Sequence, residues 1–303
     1  MSPVPKLTAI VPATNAPPTL GACLEAIRTA REAPEEMIVV EEGGGPADGR
    51  NRGARQASGD VLVFVDADVV VHPDAFARIR RRFEGDPSLA ALFGSYDDRP
   101  EAPGTVSTFR NLLHHHVHHE GAGPATTFWA GLGAVRRDAF EAVGGFDAER
   151  YLVPSVEDID LGARLAAAGH RIELDPSVQG THLKSWGLRG MIESDLWHRG
   201  VPWVELLLRH GNRSSALNLG WRHRASALAS VFTVVALLRG RLRAALVGVA
   251  ALVALNRSFY ALLARRRGRA EATAGVALHA LHHLVAALSV PIALVERFRR
   301  RDD

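Results

Sequence analysis

The sequence predicts an α/β fold: an open, mostly parallel sheet flanked by helices, followed by a tail of apolar helices. Three observations over the 303 residues predict it. In the first half, short runs that are apolar at nearly every position alternate with helical patterns, which is the order of parallel βαβ units. In the last third, three apolar stretches are separated by arginine-rich connectors. The charge also divides there, because the chain from Leu217 onward carries 14 basic and 4 acidic residues, against 22 and 29 before that position.

Four strands and three crossover helices are predicted in the first half. The predicted strands are Leu7–Val11, Met37–Val40, Val61–Val65 and Ala90–Ser95. The predicted helices are Leu20–Arg31, Ala47–Ser58 and Pro73–Phe83, the last with its proline in the first turn. An open sheet of this kind binds its ligands at the carboxyl ends of the strands.

The middle of the chain is less regular. Here we expect a helix, a strand, a second helix and a second strand, over Thr105–Glu120, Trp129–Arg136, Glu157–Ala168 and Val178–His182. Leu161 and Leu165 lie on one face of the second helix, as the helical period requires.

The apolar tail comprises Ala225–Leu238, Ala244–Ala264 and Ala272–Val295. The third stretch is long enough to span a bilayer, the second is borderline because Arg257 interrupts it, and the first is short. We expect a catalytic domain over residues 1–210 and a membrane-associated tail of two to three helices over residues 211–303. A soluble helical subdomain is the alternative. Arginines at every turn leave open whether the helices span the membrane or lie in its interface.

Composition excludes several classes of protein. The single cysteine, Cys23, excludes a disulfide framework and a cysteine-based zinc site. An acidic body joined to a basic apolar tail fits an anionic membrane better than a nucleic-acid groove, so we expect no nucleic-acid partner. Because Met1–Lys6 leads into a short strand and not into a long apolar segment, we predict no signal peptide and a catalytic domain that faces the cytoplasm.

Two pairs of carboxylates carry the candidate chemistry. Asp66 and Asp68 follow a buried strand, where one can face a divalent cation and the other a ribose or phosphate, although aspartate-rich turns after strands are common. Glu157 and Asp158 open a helix, where either Asp158 or Ser155 caps the helix N-terminus or the carboxylates supply a general base. A cation site and a separate base are what metal-assisted group transfer requires.

Six short motifs follow one another in a recognisable order. They are Pro12-Ala13-Thr14-Asn15, Val39-Val40-Glu41-Glu42-Gly43, Arg50-Asn51-Arg52-Gly53-Ala54-Arg55, Asp66-Ala67-Asp68, Gly144-Gly145-Phe146-Asp147, and Glu157-Asp158-Ile159-Asp160-Leu161-Gly162 with Arg164. Over roughly residues 7–187 the chain therefore resembles the family 2 glycosyltransferases of the GT-A fold, whose sheet is Rossmann-like. The resemblance implies a nucleotide-sugar donor, with a UDP-sugar favoured, a Mg²⁺ or Mn²⁺ cofactor, and an inverting single displacement.

The resemblance also implies roles for individual residues. The donor would contact Pro12, Thr14, Glu41, Arg50, Asp66 and Lys184, and the cation would be held by Asp68, Asp66 and His182. For His182 a surface histidine without a role is the alternative. Asp158, with Glu157 beside it, would deprotonate the acceptor hydroxyl. Trp129 and Gly131 would lie on the acceptor side, where the indole either stacks on a sugar or packs beside the sheet.

Two departures from the family's pattern bear on specificity. Glu41-Glu42 stands where the family usually has Asp-Asp, which leaves the identity of the base open. The Gln-x-x-Arg-Trp sequence of processive polysaccharide synthases is absent, and the corresponding region reads His182-Leu183-Lys184-Ser185-Trp186. This predicts transfer of one sugar and not polymerisation. The tail implies a membrane lipid or a lipid-linked acceptor, as in the synthesis of cell-envelope polysaccharides or glycolipids.

Two histidine clusters and two rival functions complete the prediction. We expect an interfacial or acceptor-side helix at His114–His119 and a polar stripe on a tail helix at His279, His282 and His283, and not metal sites. A nucleotidyltransferase would release pyrophosphate, but it usually has a basic glycine-rich loop, and Ala13–Leu20 contains no basic residue. A catalytically silent membrane scaffold is the other alternative.

Overall fold

The computed structural model describes residues 4–14, 16–210 and 220–302. The chain forms two compact units: Met1–Glu101 with His118–Lys184, here called the sheet unit, and Ala102–Val117 with Ser185–Asp303, here called the helical unit. The predicted boundary between residues 210 and 211 lies at the edge of the segment 211–219, which is outside the described residues. Asn15 of the first motif also lies outside them.

The sheet unit is built on eight strands within the described residues. They are β1 (Leu7–Pro12), β2 (Glu36–Val40), β3 (Val61–Val65), β4 (Val69–Val71), β5 (Leu89–Tyr96), β6 (Gly123–Ala125), β7 (Leu132–Arg136) and β8 (Arg171–His182). Their order is β2-β1-β3-β7-β5-β8-β4, with β6 paired to β8. β1 is parallel to β2 and β3, and β5 is parallel to β8, whereas β7 runs antiparallel between β3 and β5. The mostly parallel α/β fold predicted from the sequence is confirmed.

Helices lie between the strands along the chain, at the predicted places except for the short helix after β7. They are α1 (Leu20–Thr29), α2 (Pro46–Gln56), α3 (Ala75–Gly85), α4 (Thr105–Glu120), α5 (Arg137–Ala142) and α6 (Glu157–Ala167). The α3 helix begins two residues after Pro73, because the carbonyl of Pro73 accepts a hydrogen bond from the Arg31 amide at 2.7 Å. The predicted strand at Trp129 begins three residues later, because the indole folds back so far over Gly131 that a Cβ there would lie 2.3 Å from the ring.

The core beneath the carboxyl end of β3 is aromatic. All five residues of β3 are buried, as expected for a strand with helices on both faces. Phe64 of this strand packs against Phe140 and Phe146, with ring centroids 5.6 and 5.1 Å away. Asp66 follows two residues later, so the acidic turn rises from a closely packed layer.

The helical unit continues the chain after the sheet. It contains α7 (Leu188–Glu193), a π-helical segment (Ser194–Gly200), α8 (Val201–His210), α9 (Trp221–Leu238), α10 (Leu242–Leu255), α11 (Arg257–Arg267) and α12 (Arg269–Asp302). Its core joins Phe109 and Leu112 of α4 to Phe259 and Leu263 of α11. Among the described residues one helix, Arg269–Arg299, is long and apolar enough to cross a membrane.

The apolar stretch Ala244–Ala264 is not one straight helix. It is divided into α10 and α11, which are bent by 77° relative to each other. Asn256 lies at the break, and its amide nitrogen donates to Ser226 Oγ and to the carbonyl of Leu252, both at 2.9 Å. A polar side chain that bonds to the preceding turn in this way favours a bend.

The histidines of α12 lie inside the helical unit. His279 and His283 are buried, and His279 Nδ1 lies 3.0 Å from the hydroxyl of Tyr260. His282 Nδ1 lies 2.8 Å from one oxygen of Asp195, whose other oxygen is paired with Arg110. The predicted polar stripe is therefore present, and it faces inward.

Candidate active site

The carboxyl ends of β1, β2 and β3 meet at one edge of the sheet. The parallel registers of β1 with both neighbours bring these strand ends side by side. Pro12 ends β1 and Thr14 follows it, Glu41 follows β2, and Asp66 follows β3. Four of the predicted donor residues therefore lie on the same edge, which is where an open α/β sheet binds its ligands.

Asp66 and Asp68 lie on the turn between β3 and β4. The Asp66 amide donates to the carbonyl of Gly131 at 3.0 Å, and the Asp66 carbonyl accepts from Val69 at 2.9 Å. The Asp68 carbonyl accepts from the Leu183 amide at 2.9 Å. The two side chains keep 31% and 26% of their surface exposed. The backbone of the turn is thus fixed while both carboxylates remain accessible.

His182 lies at the end of β8, with its Nε2 3.5 Å from Asp68 Oδ2. Tyr96, at the end of β5, stacks on the imidazole with ring centroids 4.2 Å apart and planes 9° from parallel. Burial raises the pKa of Asp68, but the hydrogen bond and charge of His182, together with the charge of Lys184, lower that pKa overall below its ordinary value. An ionised carboxylate and an imidazole nitrogen therefore lie next to each other.

Glu157 is the first residue of α6 and is 4% exposed. Its Oε1 accepts a hydrogen bond from Arg50 Nη1 at 2.8 Å, and its Oε2 accepts one from the backbone amide of Ser155 at 2.8 Å. The N-cap of α6 is Val156, and the described chain gives this helix no side-chain cap. Protein donors thus engage both oxygens of Glu157, which ties the start of α6 to α2.

Asp158 is held by backbone amides on both of its oxygens. Its Oδ1 accepts from Ile159 at 2.8 Å and its Oδ2 accepts from Ala130 at 3.2 Å. The helix N-terminus also favours the ionised carboxylate, because the free N–H groups there carry partial positive charge. These donors fix the direction of the carboxylate.

Trp129 is 9% exposed and packs edge-on against two other rings. The Tyr96 ring centroid is 4.9 Å away and the His118 centroid 5.3 Å away. His118 belongs to the histidine cluster of α4, and its Nδ1 lies 2.8 Å from the carbonyl of Gly94. Trp129 therefore supports the tyrosine that stacks on His182, and the neighbouring Ala130 and Gly131 bond to Asp158 and Asp66.

Arg50 lies in α2 and is 5% exposed. Its Nη2 donates to Asp66 Oδ1 at 2.8 Å, while its Nη1 donates to Glu157 as described above. Burial disfavours the charge of this guanidinium, but Asp66 and Glu157 raise the pKa of Arg50 above its usual range. The resemblance assigned Arg50 to the nucleoside pocket. The structure directs its two terminal nitrogens at protein carboxylates.

Three supporting residues were missed by reasoning from the sequence. Tyr96 is one. Asn51 exchanges two hydrogen bonds, of 2.8 and 2.9 Å, with the backbone of Phe146. Asp97 accepts from Thr181 Oγ1 and lies 2.9 Å from His72 Nε2. A lone tyrosine or aspartate at a strand end gives no sequence signal, whereas Asn51 stood within a motif without an assigned role.

The residues at this edge fit a divalent cation that is shared with a substrate. Among residues 4–14, 16–210 and 220–302, no group of three or more His, Cys, Asp or Glu side chains is arranged to hold a metal ion by itself. Asp66 and Asp68 supply carboxylate oxygens, which are hard donors, and His182 supplies an imidazole nitrogen. Magnesium and similar ions are commonly bound by one or two carboxylates, with substrate phosphates and water completing the coordination.

Known proteins resemble parts of this chain in sequence. A family model described as glycosyl transferase family 2 matches residues 37–144, and a model described as N-terminal domain of galactosyltransferase matches residues 111–184. A poly-β-1,6-N-acetyl-D-glucosamine synthase of Staphylococcus aureus is 28% identical over 182 residues, covering 57% of this chain and 42% of that protein. A pre-mycofactocin glycosyltransferase of Mycobacterium tuberculosis is 27% identical over 212 residues, covering 65% of this chain and 44% of that protein. The match thus spans less than half the length of these relatives.

A solved structure shares the fold over nearly the whole chain. It is a mannosyltransferase from Pyrobaculum calidifontis in complex with GDP-Man and Mn²⁺, with a TM-score of 0.53 and 20% identity, covering 95% of this chain and 88% of that one. The matching family models, the related glycosyltransferases and the arrangement of the sheet agree with the order of the six motifs. Residues 37–144 are thus similar to the family 2 glycosyltransferases, and the chain has the GT-A fold.

Proposed function

We propose that this protein transfers a single sugar, with inversion, from a nucleotide-diphosphate sugar to a membrane-associated acceptor, and that the transfer requires Mg²⁺ or Mn²⁺. One observation carries the proposal. Asp66, Asp68 and His182 lie at the same sheet edge as Asp158, and the amide of Ala130 next to this edge bonds to Asp158. This arrangement supports a site for the leaving diphosphate beside a base for the acceptor hydroxyl.

The donor is bound by residues at the ends of β1, β2 and β3. Thr14 and Glu41 contact the nucleoside, with Pro12 shaping the pocket, and Asp66 contacts the ribose or the cation. Lys184, exposed two residues beyond His182, contacts the diphosphate. The reach of Glu41 is one methylene longer than that of an aspartate, so a UDP-sugar is favoured only weakly over other nucleotides.

Asp68 and His182, together with Asp66, hold the cation. When bound there, Mg²⁺ or Mn²⁺ neutralises charge on the leaving diphosphate. Both ions fit the donor set, because carboxylate oxygens suit hard cations and an imidazole is accepted by Mn²⁺. Tyr96 contributes by keeping the imidazole of His182 in one plane.

Asp158 takes the proton of the acceptor hydroxyl as that oxygen attacks the anomeric carbon from the side opposite the diphosphate. The attack forms the new glycosidic bond and breaks the bond to the diphosphate in one step, which inverts the anomeric configuration. The backbone amides on both oxygens aim the carboxylate, and Glu157 holds the start of the helix that carries it. Such a base contributes about 10²- to 10⁴-fold to the rate.

The acceptor is a membrane lipid or a lipid-linked sugar. The long apolar helix within α12 supports this, because only 28% of its most apolar segment is buried, whereas the core helix of a soluble protein is mostly buried. Arginines between α9 and α10 and at the end of α11 suit anionic headgroups. The sheet unit faces the cytoplasm, where nucleotide sugars are made.

A product analysis tests the proposed function. The full chain, purified in detergent, is incubated with Mn²⁺, a lipid extract and a panel of radiolabelled nucleotide sugars. We expect label in the lipid phase, one sugar per acceptor, and one nucleoside diphosphate released per sugar. Release of pyrophosphate would indicate a nucleotidyltransferase, a ladder of products would indicate a polymerase, and no turnover of any donor would favour the silent scaffold.

A further inference from the structure

We propose that Arg50 is a positioning residue that joins the donor-side carboxylate Asp66 to the helix that carries the base, Asp158. The inference rests on the proposed function and gives this buried guanidinium a role other than contact with the donor. It concerns the distance between the two halves of the site, since Asp66 and Glu157 of α6 both bond to Arg50.

The geometry of Arg50 is that of a bridge. One terminal nitrogen bonds to Asp66 Oδ1 and the other to Glu157 Oε1, both at 2.8 Å. Asp66 follows β3, and Glu157 begins α6, so a single side chain from α2 spans two elements far apart in sequence. Glu157 is immediately followed by Asp158. Any displacement of the guanidinium therefore moves the donor carboxylate and the base relative to each other.

Phe146 packs against the Arg50 side chain and is itself held in place. The Phe146 ring lies under the guanidinium, 5.4 Å from its central carbon. Asn51, the next residue along α2, bonds to the backbone amide and carbonyl of the same Phe146. The phenylalanine thus contacts Arg50 through its ring and Asn51 through its backbone, which leaves the bridge little freedom.

Only arginine suits this position. A guanidinium is a rigid planar fork that presents separate N–H groups to two carboxylates, whereas a lysine ammonium is a single point charge on a flexible stem. A lysine here keeps the charge and satisfies one carboxylate, but it cannot hold both at fixed positions. The variant Arg50→Lys therefore removes the bridge between the two carboxylates and keeps the positive charge.

A direct role in donor binding makes a different prediction. If Arg50 contacted the nucleoside, its loss would weaken nucleotide binding and leave turnover of bound donor largely intact. If Arg50 only stabilised the fold, activity would follow the folded fraction and return when stability returned. The bridge predicts a loss in kcat that neither donor affinity nor stability accounts for.

The experiment compares the full-length wild type, Arg50→Lys and the double variant Arg50→Met with Glu157→Gln, using whichever nucleotide sugar the wild type turns over. The double variant removes both partners of a buried ion pair, which usually costs far less stability than removing one. Arg52→Lys is the matched control, because Arg52 lies in the same helix but pairs with Asp48 at the surface. The measurements are kcat, KM for the donor, calorimetric Kd for UDP and GDP with Mn²⁺, and Tm.

For Arg50→Lys we expect kcat to fall about 10- to 100-fold, because small misplacements of reacting groups cost this much. We expect the donor KM and the nucleotide Kd to stay within about threefold of the wild type, as a defect confined to the transition state requires. The double variant should keep a Tm near that of the wild type and still have the low kcat. Arg52→Lys should match the wild type throughout.

Three results would overturn the inference. A nucleotide Kd raised about tenfold or more with kcat unchanged would make Arg50 a donor ligand. A double variant that recovers kcat along with Tm would make the bridge purely structural. Wild-type values of kcat and donor KM for Arg50→Lys would show that the planar guanidinium is not required. If the wild type itself turns over no nucleotide sugar, the proposed function fails first and the inference fails with it.

Discussion

The sheet unit and the helical unit distribute polar and apolar residues in opposite ways. In the sheet unit the strand β3 is buried at every residue, and the charges of the site lie at its accessible end. In the helical unit Ser226, Ser230 and His279 are buried, whereas large apolar side chains are exposed. The exposed apolar residues of α9 and α10 include Leu228, Leu238, Leu242, Leu246 and Val247.

The difference agrees with the proposed contact of the helical unit with lipid and of the sheet unit with water. A water-exposed domain gains stability by burying apolar surface, and it rarely leaves a large contiguous apolar area uncovered. Helices in lipid gain nothing from burying leucine and associate instead through small and polar residues. The bond from Asn256 to Ser226 and the close approach at Gly248, where a Cβ would lie 2.2 Å from Thr233 Oγ1, are contacts of this second kind.

The largest effect is expected at the base. Asp158→Asn removes the proton acceptor but keeps the shape of the side chain, so we expect kcat to fall about 10²- to 10⁴-fold. Donor affinity should change little, because the defect lies in the transition state. Steady-state kinetics and calorimetric titration with nucleoside diphosphate check both parts. A variant that loses mainly donor binding would place Asp158 on the donor side of the site.

The next largest effect concerns a buried charge of the helical unit. Asp195→Asn removes the carboxylate that pairs with Arg110, and breaking a buried ion pair costs about 3–5 kcal/mol. The surface pair of Asp74 and Arg78 offers the control, since Asp74→Asn should cost about 1 kcal/mol or less. Thermal unfolding in detergent measures both. Equal costs for the two variants would mean that water reaches Asp195.

The same carboxylate predicts a pH dependence. Burial raises the pKa of Asp195, but His282, Arg110 and Arg199 lower it well below its ordinary value of 3.8. A depressed pKa in the folded state contributes stability that is present above pH 3.8 and is lost as the pH falls further. We expect the free energy of unfolding of the wild type to fall as the pH drops below 3.8, and that of Asp195→Asn to fall less steeply. The same pH dependence in both proteins would contradict a depressed pKa for Asp195.

A smaller effect is expected at the cation site. Asp68→Asn removes an anionic oxygen from a hard divalent ion, so the Mn²⁺ concentration for half-maximal activity should rise at least about tenfold. Tyr96→Leu should raise it less, because it frees the imidazole of His182 without removing a donor. A Mn²⁺ titration of activity and of nucleotide binding measures both changes. An unaltered requirement in Asp68→Asn would assign the cation to other residues.

The smallest single effect is expected at Leu246, and its contrast with Leu62 tests the comparison between the units directly. Leu62→Ala in β3 opens a cavity in a dry core and should cost about 2–5 kcal/mol. Leu246→Ala, at an exposed position of α10, should cost about 0.5 kcal/mol or less in detergent. The two free energies of unfolding come from the same chemical denaturation experiment. A large cost at Leu246 would show that protein, and not lipid, covers this helix.

The sequence predicted the parts of the fold that have a strong period or a strong motif. The strands Leu7–Val11 and Val61–Val65 were found because they are apolar at nearly every residue, and α6 because its carboxylates precede a helical pattern. The short elements β4, β6 and α5 have too few residues to show a period. The sequence also could not show that Phe109 of α4 packs on Phe259 of α11, because contacts between distant segments leave no local pattern.

The candidate site divides in the same way. The carboxylates were found because chemistry requires those residue types, but the way in which they are held was not. Tyr96 stacking on His182 and Arg50 joining Asp66 to Glu157 depend on which strand and helix ends meet. That meeting is a property of the sheet order, which the sequence alone left open.

The central claim is that the donor half and the base half are separate parts of one sheet edge, and calorimetric titration of the full chain with UDP and with GDP tests it most directly. Each titration is run with and without Mn²⁺ on the wild type, Asp68→Asn and Asp158→Asn. We predict that one of the nucleotides binds the wild type and Asp158→Asn with similar affinity, only in the presence of Mn²⁺, and binds Asp68→Asn weakly. Equal nucleotide affinity with and without Mn²⁺ would contradict the account. So would nucleotide binding that is lost in Asp158→Asn and kept in Asp68→Asn.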